Sequence, residues 1–256
     1  MKIKFLLATA VASIMALTSC KKDDPVTPAP GTPGVSKKLK KVTTTEAAVT
    51  TVFNLTYDGN NRLLSYKNNA NTEFVLFSYD AQGNLTGIEE KEKEFHNFYN
   101  YTYQNNVPVS GVFKSWELVA GQPDELIEDD KLTYTVSNGK VSKIKLEMLQ
   151  DGSELDLLLT YTGNNLTKVA SDGLFAYTAD FSFGTHRSAF PKVSNYVLDQ
   201  AGFSLLFASN NEMLSASFDF PGTALDKTVN TQYTYDSNGY VLTSNDGETQ
   251  RVFEYE

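Results

Sequence analysis

Tyr99, Tyr101 and Tyr103 alternate along one stretch, and Trp116 follows close behind. That spacing lays aromatic rings along one face of a β-strand. Such a stripe can stack on sugar rings or pack against a partner, although a cross-strand ladder that serves stability alone needs the same tyrosines and is the commoner use. These four are the candidate ligand-binding residues. His96 and His186 are the only histidines, and they show no metal spacing such as His-x-x-x-His, so no metal ligand set is expected. Asp124, Glu125, Glu128, Asp129 and Asp130 follow Gly121-Gln122-Pro123. Their spacing fits no Ca²⁺ loop and reads as a solvated acidic turn. A Gly-x-Ser-x-Gly elbow and a phosphate loop are both absent, and no cofactor is expected. A pair of carboxylates for glycoside hydrolysis stays open, because its members can be far apart in sequence.

The chain opens with Lys2 and Lys4, then a run of thirteen residues from Phe5 to Leu17 that is too short to span a bilayer. That is the layout of a signal peptide over residues 1–19. Leu17-Thr18-Ser19-Cys20 resembles the lipobox of bacterial lipoproteins. The resemblance implies cleavage before Cys20, lipidation of its thiol and a membrane held through the lipid. Cys20 is the only cysteine, so no internal disulfide can form. Lys21-Lys22-Asp23-Asp24 resembles the charged export signal of surface-exposed lipoproteins of Bacteroidota type, which implies the outer membrane and its cell-surface face. Pro25, Pro28, Pro30 and Pro33 then make residues 20–42 an extended tether of roughly 50 Å. Lys38, Lys40 and Lys41 close it as a solvated basic run that can touch anionic head groups.

Removing Lys2 and Lys4 takes the 22 basic residues to 20 against 31 acidic ones, so the formal charge moves from −9 to −11. Nucleic acid is excluded as a partner on that balance.

A single folded domain is expected over 43–256, built on one repeated unit. Tyr233-Thr234-Tyr235, Asp236-Ser237-Asn238-Gly239 and Tyr240-Val241-Leu242 read as strand, turn and strand, with Gly239 taking φ > 0. Tyr57-Asp58-Gly59-Asn60-Asn61 and Tyr79-Asp80-Ala81-Gln82-Gly83 are further strict copies, and looser ones centre on Tyr103, Tyr134 and Tyr161. The chain resembles YD-repeat proteins of the RHS class, in particular short lipoproteins of unknown function from Bacteroidota-type bacteria. That resemblance supplies no catalytic residue, and the copies are too few to close the hollow shell of long members. The fold expected is an all-β antiparallel hairpin-repeat meander, strongly twisted into a half-barrel or two-layer form, with one short capping helix.

Residues 181–227 break the period. Val193, Tyr196 and Val197 fall at helical spacing after Pro191, while Ser204 to Ala208 reads as a strand. Phe74 to Phe77 and Leu155 to Leu159 are apolar on both faces, which predicts cover on both sides. The leading functional expectation is a non-catalytic binding or scaffolding module for a glycan, peptide or envelope protein. The alternatives are a carrier of an apolar ligand and a carboxylate hydrolase.

Overall fold

The computed structural model describes residues 37–172, 176–199 and 203–256. Cys20, the signal peptide and most of the tether lie outside the described residues.

In each strict repeat the aspartate builds the turn. One carboxylate oxygen of Asp58 accepts the N–H groups of Asn60 and Arg62, both at 2.9 Å. Asp80 does the same for Gln82 and Asn84, and Asp236 for Asn238 and Tyr240. The fourth turn residue is left-handed in all three, with φ of 62° at Asn61, 88° at Gly83 and 78° at Gly239. A β-bulge precedes the tyrosine each time, which sharpens the local twist. In the first two strict units and in the looser copy at Tyr103 the tyrosine hydroxyl reaches across to the preceding strand, whereas Tyr235 donates to the Glu212 carboxylate at 3.1 Å. Tyr57 donates to the Leu39 carbonyl at 2.6 Å, Tyr79 to Leu63 at 2.9 Å and Tyr103 to Leu85 at 2.9 Å. The unit therefore needs Tyr rather than Phe, because the ring buries while the hydroxyl caps a carbonyl.

Seventeen strands run in order among the described residues. The first nine are β1 (Leu39–Glu46), β2 (Val49–Tyr57), β3 (Leu63–Asn68), β4 (Phe74–Tyr79), β5 (Leu85–Lys91), β6 (Phe95–Gln104), β7 (Val107–Glu117), β8 (Glu125–Ser137) and β9 (Lys140–Met148). They continue as β10 (Ser153–Thr162), β11 (Asn165–Ser171), β12 (Tyr177–Arg187), β13 (Asn211–Asp219), β14 (Lys227–Asn230), β15 (Gln232–Tyr235), β16 (Val241–Asn245) and β17 (Thr249–Tyr255). Every pairing is antiparallel between neighbours in sequence, except that β1 lies between β2 and β17. Thr231 alone separates β14 from β15, and its N–H donates to Leu214 on β13. The meander is thus a nearly closed barrel, rounder than a half-barrel or two layers. It also begins earlier than Thr43: Leu39 and Val42 are buried strand residues, and Lys41 pairs with Glu254 on β17.

One face of the sheet is apolar throughout and looks inward. Val75, Ile88, Tyr99, Phe113, Leu132, Leu146, Leu157 and Ala179 lie on it. The outward face carries cross-strand ion pairs, including Lys114–Asp129, Lys131–Glu147, Lys143–Asp156 and Lys168–Asp180. Exposed pairs of this kind add little stability, but they mark a wall that meets water. The expected double cover is absent. Leu158, outward on β10, is 48% exposed, and Phe74 and Leu76 are only partly covered.

The break in the repeat is the loop between β12 and β13, whose described residues 188–199 and 203–210 enter the barrel. Phe190, Val193, Leu198 and Phe207 are buried, and Phe207 packs edge-on against Phe77, Tyr66 and Phe190. Its short helix, α1 (Phe203–Ala208), lies where a strand was expected, and 191–198 is irregular. The reason is that no sheet edge stands open there for a strand to join. The Val193 N–H donates instead to the Phe207 carbonyl at 2.9 Å, folding the loop on itself.

Candidate functional site

The four aromatic candidates do not share a surface. Tyr99 and Tyr101 point into the core at 1% and 5% exposure, Tyr99 stacking on Phe113 at 4.6 Å. Tyr103 shares that inward face but reaches the barrel end, while Trp116 lies on the outer wall at the end of a chain of ring contacts through Phe98 and His96 to Phe74. Alternation carries this: the stripe at 99, 101 and 103 has one facing, and Trp116 pairs with His96 on the other. His96 also bonds Glu89 at 3.0 Å. His186 stacks on Tyr235 at 3.8 Å and meets the buried Glu212 carboxylate at 3.2 Å.

The acidic run is a strand rather than a solvated turn from Glu125 onward. Glu128 and Asp130 alternate onto the inner face of β8, and the register continues from Glu128 through Ser115 and Asn97 to Glu90 on β5. Burial first, then Glu92, pushes Glu90 up to about 7. Burial and Asp130 push Glu128 up to about 7, and burial with Asp129 raises Asp130 to about 6. Near-neutral carboxylic acids suit general acid catalysis, but geometry opposes a hydrolytic pair. Three strand spacings separate Glu90 from Glu128, about 14 Å of wall, against the 5 to 9.5 Å of glycosidase pairs. Glu128 and Asp130 project from one strand in one direction, so they cannot flank a bond from opposite sides.

The hairpin turns after β2, β4, β6, β8, β10 and β15 gather at one end of the barrel, which the 188–210 loop stoppers. Two recesses lie between turns and loop. One, of about 280 Å³, is lined by Lys140, Tyr161, Asn164, Lys192 and Asn195. The other, of about 320 Å³, takes Arg62, Tyr79, Asn84, Tyr103 and Tyr196 together with the same Lys192 and Asn195. Arg62 is held by Asp58 at 2.7 Å and lies over the Tyr79 ring. Lys140 lies over Tyr161 and donates to the Gly163 carbonyl and to Asn164. Sequence reasoning reached Tyr103 here but missed Lys140 and Lys192, because their meeting depends on where the long loop comes down.

The fold is a β-barrel whose strict turns follow one Tyr-Asp hairpin unit. Residues 57–90 match the family model described as RHS Repeat, a segment holding the strict units at Tyr57 and Tyr79. The chain is similar in structure to a porin-like protein from Bacteroides vulgatus ATCC 8482 determined at 2.80 Å, with a TM-score of 0.56 and 12% sequence identity. The match covers 86% of this chain and 99% of that one, and at such identity it is a likeness of fold. No curated protein matches the sequence. On this barrel the apolar face is inward and the ion pairs outward, the reverse of a lipid-spanning wall, where a central lysine costs about 2–4 kcal/mol.

Proposed function

We propose that this chain is a non-catalytic binding module, held at the outer membrane by lipid on Cys20 and displayed at the cell surface. The observation that carries the binding reading is the filled interior. Phe190, Phe207 and Phe253 meet inside the barrel, so a carrier's apolar cavity has no room, and ligand must be met on the surface. The anchor rests on the sequence before residue 37, and a proline-rich arm suits reaching a polymer or envelope partner. Tyr103 in its recess and Trp116 on the wall are the sequence-level candidates that reach the surface.

Cys20→Ala should move the protein from the membrane fraction to the soluble envelope fraction; continued partitioning with membranes removes the anchor. The purified full chain should be retained saturably on an extracellular or envelope polymer without shortening it. Turnover of that polymer, abolished by Glu128→Gln or Glu90→Gln, would establish the hydrolase instead.

A further inference from the structure

The two recesses at the stoppered end have a charge unlike the rest of the molecule. The chain is acidic overall, yet no carboxylate lines either recess, whereas Lys140, Lys192 and Arg62 do. Arg62 is neutralised by Asp58, but Lys140 and Lys192 make no ion pair among the described residues. Lys192 donates to the Asn210 side chain at 3.3 Å, and burial together with Lys140 lowers its pKa, as two cations without a counter-charge require.

A second observation comes from the tyrosines. Tyr57, Tyr79, Tyr103 and Tyr255 each donate to a carbonyl of the preceding strand. Tyr161, at the matching place on β10 and lining the Lys140 recess, has a buried hydroxyl with no hydrogen-bond partner. That hydroxyl is closed off from solvent, so what this side of the recess presents to a ligand is Lys140, which lies over the Tyr161 ring. Around the cations stand Asn164 and Asn195 and the rings of Tyr103 and Tyr196, while the Tyr79 ring is covered by Arg62 and the Asn84 amide donates to Asp80 and Asn106. Amides pair with hydroxyls, tyrosine faces pack on the C–H faces of sugar rings, and ammonium groups take carboxylates.

We infer that the paired recesses bind a carboxylated oligosaccharide, one uronate unit on either side of the Lys192–Asn195 segment. This rests on the binding-module reading and names its ligand class. Phosphate or nucleic acid would use the cations but leave the amides and tyrosine faces idle.

The test is calorimetric titration of the full chain carrying Cys20→Ala with tetragalacturonate, its methyl ester, a neutral galactose tetramer and tripolyphosphate. The free acid should bind saturably, the ester and neutral tetramer at least tenfold more weakly, and tripolyphosphate more weakly than the free acid. Lys192→Gln should weaken the free acid at least tenfold with an unchanged unfolding midpoint, and Lys140→Gln should weaken it as well. Equal binding of acid and ester, indifference to Lys192→Gln, or tripolyphosphate binding as tightly as the sugar acid each overturns the assignment. A chain that ignores all four probes but is retained on another polymer through Trp116 also overturns it, while the binding module stands. Cleavage of the tetramer would instead overturn the module itself.

Discussion

At Gly239 the turn demands φ of 78°, and a Cβ built there would stand 3.3 Å from the His186 ring. Gly239→Val should therefore lose on the order of 1–3 kcal/mol, whereas Ser237→Val in the same turn should lose far less; urea midpoints compare them directly. A different residue-scale effect governs pH. Glu128 titrates near its ordinary value of about 4.5 when unfolded but is pushed up to about 7 by burial in the barrel. Its neutral form is what the fold accommodates, so its contribution is intact below about pH 4.5 and is lost as pH rises toward 7. Asp58, Asp80 and Asp236 act oppositely. Hydrogen bonds from their own turns hold Asp58 and Asp80 low, Lys37 and then its own turn hold Asp236 low, and their contribution disappears on acidification through and below their ordinary range. Stability should peak in weak acid, and Glu128→Gln should raise the unfolding free energy at pH 8 by on the order of 1 kcal/mol, read as a higher urea midpoint, while changing little at pH 4. A wild-type midpoint that is flat from pH 5 to 8 would contradict this.

Among the elements, the β1–β2 hairpin is the weakly specified one. Its two turn residues, Ala47 and Ala48, take φ of 45° and 65°, a conformation that Asn and Gly adopt readily and alanine does not. Replacing the pair with Asn-Gly should stabilise the chain by about 1 kcal/mol, read as a shift in the urea midpoint with unchanged slope. This turn was invisible to sequence reasoning because nothing in Glu46-Ala47-Ala48-Val49 signals one. The Tyr-Asp turns, by contrast, were legible to the residue, since one aspartate, one left-handed position and one tyrosine hydroxyl define each unit locally. β10 was misread instead: the run from Leu155 to Leu159, with Asp156 its one polar residue, hid an ordinary alternation in which Leu155, Leu157 and Leu159 face inward and Leu158 meets water. Within the loop after β12, the segment 191–198 was misread because Val193, Tyr196 and Val197 do not share a buried face: Val193 is buried in the barrel, while Tyr196 and Val197 are only partly covered along an irregular stretch. Lys192 belongs to that loop, so the recess it completes could not be read without the tertiary placement.

For the molecule as a whole, local repeats explain every neighbouring pair but not the join. The pairing of β1 with β17 brings Leu39 against Tyr255, and Lys38 and Glu256 exchange backbone hydrogen bonds in both directions. Each hairpin can form from residues near in sequence, yet β1 obtains its second neighbour only after β17 has been made. Closing so long a loop carries a large entropic cost before any contact rewards it. Refolding from urea should therefore show early strand signal, followed by a slower phase in which Tyr66 and Phe253 become protected together. Simultaneous protection of all strands would mean that the ring forms in one step. In the cell, the same feature sets a timetable. A growing chain carries an unpaired β1 edge until the whole of the barrel has been synthesised, and strand edges are where like chains adhere. Whatever escorts the unfolded chain must cover β1 until β17 arrives.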